Sequence, residues 1–133
     1  MAALDTNVLV RYLVRDDPMQ TKATRRLFDQ ELAAGRALFV PVTVLLELEW
    51  VLRSTFGFDK EAVVNTFVEL LMSSELAFDS EWVLEAAVWQ YRKSSADFAD
   101  CLHAALAQQA GESPLWTFDK GASKLPSAQL LGA

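Results

Sequence analysis

The 133-residue chain is predicted to fold as one α/β domain, three layers deep (α/β/α), around a central parallel sheet of about four to five strands. Two observations predict this class. Short apolar runs alternate along the whole chain with amphipathic segments of helical spacing, and strands separated by helices favour a parallel sheet covered on both faces with right-handed crossovers. With 52% apolar residues the chain can bury one real core, yet it is too short for two ordinary domains, so residues 1–133 are expected to form a single domain.

Ala2-Ala3-Leu4 reads as a first short buried strand, although alanine is a weak strand former. Asp5-Thr6-Asn7 punctuates it, and Val8 to Val14 fits a short helix packed on the sheet. Asp16-Asp17-Pro18 is a helix start, with Asp17 as N-cap and Pro18 in the first turn. The resulting helix, about 18–34, carries Ala23, Leu27, Phe28 and Leu32 at helical spacing and stops at Gly35. Ala37 to Val40 is the second strand; after Pro41, Thr43 is expected to cap a helix carrying Val44 to Arg53. Phe58-Asp59 opens another helix to about Met72. Ala77-Phe78 is a brief strand before a helix from Ser80 to Tyr91. Ser94 to Asp97 introduces an alanine-rich helix ending at Gly111, and Pro114 to Thr117 is a last strand leading to Phe118-Asp119. No repeat, low-complexity tract or linker interrupts this alternation.

Composition narrows the chemistry. The longest apolar stretches, such as Phe39 to Leu46, fall short of the ~20 residues of a membrane span. Residues 1–4 lack the basic region and cleavage site of a secretory signal, so a cytoplasmic protein is expected. One cysteine, Cys101, and one histidine, His103, exclude an intramolecular disulfide and a Cys/His zinc site, so any metal is expected to be held by oxygen. A lone histidine also excludes a metal-free route with a histidine acid and a histidine base. The net charge of −6 argues against polyanion binding by the whole surface. It is compatible with acids concentrated in one pocket, where a divalent cation inverts the local sign.

Four segments deliver an acid at or near an element end: Leu4-Asp5-Thr6-Asn7, Leu46-Glu47-Leu48-Glu49, Asp97-Phe98-Ala99-Asp100 and Thr117-Phe118-Asp119. Each has a structural explanation. Asp97 can be an N-cap with Asp100 as the acid of a capping box, Asp5 a turn residue, and Asp119 the cap of a terminal helical turn. Glu47 stands out because its helix is otherwise strongly apolar. Its neighbours three and four residues away, Thr43, Val44, Trp50 and Val51, suggest the packed face, where a carboxylate needs a partner. Glu49 is expected in solvent. Asp5 and Asp119, each just after a strand, would project at the carboxyl edge where ligands of parallel sheets bind.

These segments, with Leu4-Asp5-Thr6-Asn7-Val8-Leu9, Val44-Leu45-Leu46-Glu47, Asp97-Phe98-Ala99-Asp100-Cys101-Leu102 and Thr117-Phe118-Asp119 in this order and spacing, resemble the PIN-domain family, and more narrowly the VapC-type toxin ribonucleases of type II toxin–antitoxin pairs. The resemblance covers nearly the whole chain. It implies a metal-dependent endoribonuclease in which Asp5, Glu47 and Asp100 are the core metal-binding acids and Asp119 the fourth. Thr6, Asn7 and Thr117 would support the pocket, and Asp97 matches a frequently acidic position. Cys101 and His103 depart from the usual apolar or small residues.

Carboxylates suit this chemistry because Mg²⁺ or Mn²⁺ prefers hard oxygen ligands and keeps waters, leaving room for a phosphodiester. One ion, or two about 3.5–4 Å apart, would activate water and neutralise charge on the scissile phosphate, giving 3′-hydroxyl and 5′-phosphate ends. Arg11, Arg15, Lys93 and Lys120 are candidate contacts to RNA phosphates, each equally explicable as a solvated cation. The four tryptophans are expected mostly in the core. The resemblance further implies a cognate antitoxin and a homodimer. Two rivals remain. One is a phosphatase using Asp5 as nucleophile, weakened because Asn7 stands where a second acid is needed. The other is a catalytically inactive PIN-fold module that binds a protein partner.

Overall fold

A computed structural model describes residues 2–132. The chain divides into two compact units, Met1–Gly57 with Glu69–Asp79, and Phe58–Val68 with Ser80–Ala133. All strand pairings among the described residues are parallel, as expected of an α/β fold.

In the first unit, α1 (Thr6–Leu13) and α2 (Pro18–Ala33) precede β1 (Leu38–Val40), α3 (Val42–Ser54) and, after the end of α4 (Lys60–Met72), β2 (Leu76–Phe78). The start of α2 is as the sequence predicts: Asp17 Oδ1 accepts from the Gln20 amide at 3.0 Å, and Pro18 opens the first turn. Past its end the backbone turns at Gly35 with φ 73°, a left-handed conformation costly for any residue with a Cβ. β1 and β2 pair in register from Leu38↔Leu76 to Val40↔Phe78.

The predicted strand at residues 2–4 is reduced to one parallel bridge, Ala3↔Phe39. It is held by the Leu4 amide on the Phe39 carbonyl at 2.9 Å and the Phe39 amide on the Ala2 carbonyl at 2.8 Å. The helix expected from Val8 begins instead at Thr6, because Asp5 caps it. Thr43 is no cap. Pro41 is extended, at φ −61° and ψ 149°, and its carbonyl takes the first helical bonds from Val44 and Leu45, so Thr43 falls inside the first turn of α3. Leu9, Phe28, Leu38, Val40, Leu48 and Leu52 are fully enclosed, and Tyr12 stacks on Phe28 with centroids 4.4 Å apart.

The second unit contains the start of α4, α5 (Glu81–Lys93), α6 (Phe98–Gln109), β3 (Leu115–Thr117), a single 3₁₀ turn (Ala122–Lys124) and β4 (Ala128–Leu130). Ser80 and Asp97 cap α5 and α6 through their side chains. The core of this unit is aromatic: Phe98 stacks on Phe67 at 4.9 Å and meets the edge of Tyr91 at 5.5 Å. β4 pairs with β3 from Leu115↔Ala128 to Thr117↔Leu130. It is not foreshadowed in the sequence, since Ala128 and Gln129 have little strand preference of their own and partner geometry decides the matter. Among the described residues no helix is long and apolar enough to cross a membrane.

Candidate functional site

The candidate acids fall into two groups, one in each unit. In the first unit the pairing of Ala3 and Leu4 with Phe39 delivers the chain to Asp5, whose Oδ1 accepts from the Val8 amide at 3.1 Å and caps α1. That bond uses one carboxylate oxygen and leaves the exposed carboxylate's second oxygen for other work. The next residue, Thr6, is 6% exposed, and its hydroxyl donates to Glu47 Oε1 from α3. A buried hydroxyl needs a partner, and here the partner is a candidate acid. Thr6 thereby ties Glu47 to the residue directly after Asp5. Asn7 is exposed on the first turn of α1.

The expected orientations on α3 are reversed. Glu47 is exposed, whereas Glu49 is 4% exposed and forms a two-point ion pair with Arg53 one turn along the helix. An isolated buried carboxylate is costly, and a guanidinium that brings two N–H donors offsets that cost, which is how Glu49 tolerates the interior. The candidate ligand is therefore the acid that faces outward and leans on Thr6.

In the second unit Asp97 Oδ1 accepts from the Asp100 amide at 2.9 Å, the N-cap bond of α6. Asp100 is half-buried. Burial raises its pKa above the ordinary carboxylate value, the Asp97 carboxylate and then Asp119 add like charge, and His103 pulls the other way. Asp119 Oδ1 accepts from the Ala122 amide at 3.0 Å, while its own amide donates to the Thr117 hydroxyl at 3.0 Å. Both structural explanations, the Asp97 cap and the Asp119 cap, are thus present. They coexist with the electrostatic crowding at Asp100 rather than replacing it.

Sequence reasoning missed Gly121. A Cβ there would lie 3.2 Å from Asp119 Oδ1 and 3.9 Å from the Ser95 carbonyl, so the glycine keeps the carboxylate's berth clear. Its backbone is ordinary right-handed helix, φ −64°, and only the close approach singles it out. Cys101, beside Asp100, is buried, and burial pushes its thiol up to about 11, so it is a packed side chain and no nucleophile at neutral pH.

The carboxylates offer hard oxygen donors of the kind Mg²⁺ or Mn²⁺ takes, and the like charge around Asp100 is what a cation relieves. Among the described residues, no three histidine, cysteine, aspartate or glutamate side chains gather closely enough to hold a metal ion by themselves.

The candidate phosphate contacts differ among themselves. Arg11 is engaged by Asp16 at 2.8 Å and Gln20 at 2.6 Å, and Lys93 lies 4.8 Å over the Trp89 ring. Arg15 and Lys120 are exposed. The tryptophans are not in the core. Trp50, Trp82, Trp89 and Trp116 are between 47% and 59% exposed, because their helix and strand positions turn the smaller aliphatic neighbours inward instead.

A family model described as PIN domain matches residues 2–127. A VapC ribonuclease of Aquifex aeolicus (strain VF5) is 28% identical over 127 residues, covering 94% of this chain and 92% of that protein.

Proposed function

The chain belongs to the PIN-domain family, and from that premise we propose that it is a metal-dependent endoribonuclease, the toxin of a type II toxin–antitoxin pair, with Asp5, Glu47, Asp100 and Asp119 as its working carboxylates. The observation that carries the proposal is the Thr6–Glu47 hydrogen bond, which fastens the second acid to the neighbour of the first. The full-length similarity to a VapC ribonuclease supports the substrate class. The family match runs through both units, which supports reading residues 1–133 as one domain.

Asp5, Glu47 and Asp100 would hold Mg²⁺ or Mn²⁺, one ion or two, with Asp119 assisting. Bound there, the metal supplies an activated water and neutralises charge at the scissile phosphate. The chain's own residues do the positioning. Thr6 holds one carboxylate oxygen of Glu47, Asp97 and the first turn of α6 place Asp100, and Thr117 accepts from the backbone amide of Asp119. Such outer contacts set the orientation of metal-binding groups. The products are a 3′-hydroxyl and a 5′-phosphate. We place the enzyme in the cytoplasm, as a homodimer restrained by a cognate antitoxin. The half-exposed Trp82 and Trp89 on α5 suit a surface covered by protein.

The test is cleavage of a pool of tRNA and structured RNA by the purified, antitoxin-free protein with Mg²⁺ or Mn²⁺, against EDTA and Asp5→Asn. Metal-dependent cutting that leaves 5′-phosphates and falls by on the order of 100-fold or more in Asp5→Asn is expected. Growth arrest on expression, lost in the same variant, checks the toxin role. If wild type and Asp5→Asn arrest growth equally and neither cuts RNA, the non-catalytic interaction module takes over.

A further inference from the structure

Four of the twelve lysines and arginines in a chain of net charge −6 line a single cavity of the first unit. It measures about 440 Å³ and lies between α1 and α2, with Arg11 and Arg15 on one side and Lys22 and Arg25 on the other. Tyr12, Pro18, Thr21 and Thr24 complete the wall. The positions come from both helices and the turn between them: Arg11 is on α1, Arg15 follows its end, and Pro18, Thr21, Lys22 and Arg25 share one face of α2. Gathering like charge in an acidic protein is unfavourable unless something anionic is to be met there.

The neighbouring counter-charges do not cancel the set. Asp16 takes Arg11 at 2.8 Å, and Asp29 reaches Arg25 only at 3.8 Å across exposed surface, where such pairs contribute little. Arg15 and Lys22 have no ion pair among the described residues. A second, independent observation comes from Thr21. Its hydroxyl oxygen is buried and has no hydrogen-bond partner among the described residues. Buried hydroxyls are ordinarily satisfied, so a rotation of this side chain toward the cavity would add one donor to the cations.

We infer that this cavity is a phosphodiester-binding site that holds the RNA strand away from the point of cleavage, an inference that rests on the nuclease reading above and adds a binding surface to it. Three features favour a polymer backbone over a small buried anion. Arg15, Lys22 and Arg25 stand at an exposed rim rather than converging in an enclosed pocket, as a small-ligand site would require. Arginine predominates, the side chain best matched to phosphate oxygens. The cavity also shares α1 with a proposed catalytic acid: Asp5 caps the helix, and Arg11 follows six residues later, about 9 Å along the axis at 1.5 Å per residue. A strand with one phosphate at Asp5 can therefore present a later phosphate to this rim.

The experiment is binding of a fluorescein-labelled single-stranded RNA 12-mer to the full chain in EDTA, read by anisotropy across a salt series, for wild type, Arg15→Ala/Lys22→Ala, Thr21→Val and a control that removes two cations outside the cavity lining, Arg92→Ala/Lys124→Ala. Arg15, Lys22, Arg92 and Lys124 are all exposed, and a melting curve for each variant confirms folding. The Arg15→Ala/Lys22→Ala variant is expected to bind about tenfold more weakly and to lower the slope of log K against log salt by about 1.4, two phosphate contacts at ~0.7 each. Thr21→Val is expected to weaken binding a few fold with the slope unchanged. Arg15→Lys/Lys22→Arg should retain wild-type binding. An equal effect from the Arg92→Ala/Lys124→Ala control, or no measurable RNA binding by wild type, overturns the inference. So does an RNA slope untouched in a variant that loses a labelled poly-glutamate peptide, which would assign the cavity to an acidic protein partner. Because EDTA removes catalysis from the assay, the two proposals fail separately. RNA cut normally by the Arg15→Ala/Lys22→Ala variant with an unchanged slope defeats only this one, and a lowered slope without any metal-dependent cutting defeats only the nuclease.

Discussion

The two groups of acids are built on opposite principles. In the first unit the carboxylates are satisfied one by one: Asp5 by the Val8 amide, Glu47 by the Thr6 hydroxyl, Glu49 by Arg53. In the second unit Asp97 and Asp119 are satisfied by amides, but Asp100 sits half-buried among like charges, and its proton is held above the ordinary value. The first arrangement costs little without a metal and fixes geometry. The second is a local excess of negative charge that a cation would relieve. The first group orients its acids, and the second attracts a cation.

After loss of Asp5 itself, removing the orienting contact should have the largest effect. Thr6→Val keeps the side-chain volume and loses only the hydroxyl that holds Glu47. If Glu47 holds the metal as proposed, RNA cleavage at saturating Mn²⁺ is expected to fall by about 10–100-fold, the usual cost of deleting a partner of a metal-binding group. Thr6→Ser, which restores a hydroxyl, should recover most of that loss. If Thr6→Val cuts as well as wild type while Asp5→Asn is dead, Glu47 needs no fixing and the contrast between the two groups weakens.

How much of this was legible from the sequence depended on the kind of signal. The element order was readable because punctuation carries its own physics: Asp17-Pro18 and Ser80 start helices and Gly35 and Gly111 end them. The candidate acids were nameable because an ordered set of four is far more specific than any one. Which way a helical acid faces was not readable. Glu47 and Glu49 are separated by one residue, about 200° around the helix at 3.6 residues per turn, and both have apolar neighbours. A local window cannot tell that Arg53 would follow Glu49 inward or that Thr6, forty-one positions away, would reach Glu47. The short β4 and the clearance at Gly121 are likewise products of long-range packing, and so is the exposure of all four tryptophans.

The attracting group of acids should reveal itself in the pH dependence of stability. Asp100 in the folded chain holds its proton more tightly than in the unfolded chain, whose value is near 3.8. Folding then binds protons, so this contribution favours the fold at pH below that value and is lost as pH rises through the raised folded value. Asp97→Asn keeps a residue that caps as well as aspartate but removes a like charge beside Asp100. In EDTA at neutral pH the variant is expected to be more stable than wild type, by less than ~1 kcal/mol because the group is well screened by solvent. Millimolar Mn²⁺ should raise the melting temperature of wild type more than that of the variant. A variant less stable than wild type in EDTA at neutral pH would mean that the cap, and not the repulsion, is what Asp97 is for.

The smallest effect is expected at Gly121, and its sign is informative. Replacing glycine by alanine in ordinary helical backbone, here φ −64° and ψ −47°, stabilises a protein by about 0.4–1 kcal/mol through the unfolded state when the site has room. The new Cβ would stand 3.2 Å from Asp119 Oδ1, tighter than ordinary contact, so the carboxylate must yield by a few tenths of an ångström. That movement costs part of the gain and strains the 3.0 Å bond that Asp119 receives from Ala122. Gly121→Ala is therefore expected to leave the melting temperature within about 2 °C of wild type while cleavage falls several fold, the signature of a displaced working acid in an intact fold. If the variant instead gains the full stabilisation and cuts at the wild-type rate, Asp119 has room to move without consequence. The carboxylate would then be only the cap of the turn that follows it, and the attracting group would reduce to Asp97 and Asp100.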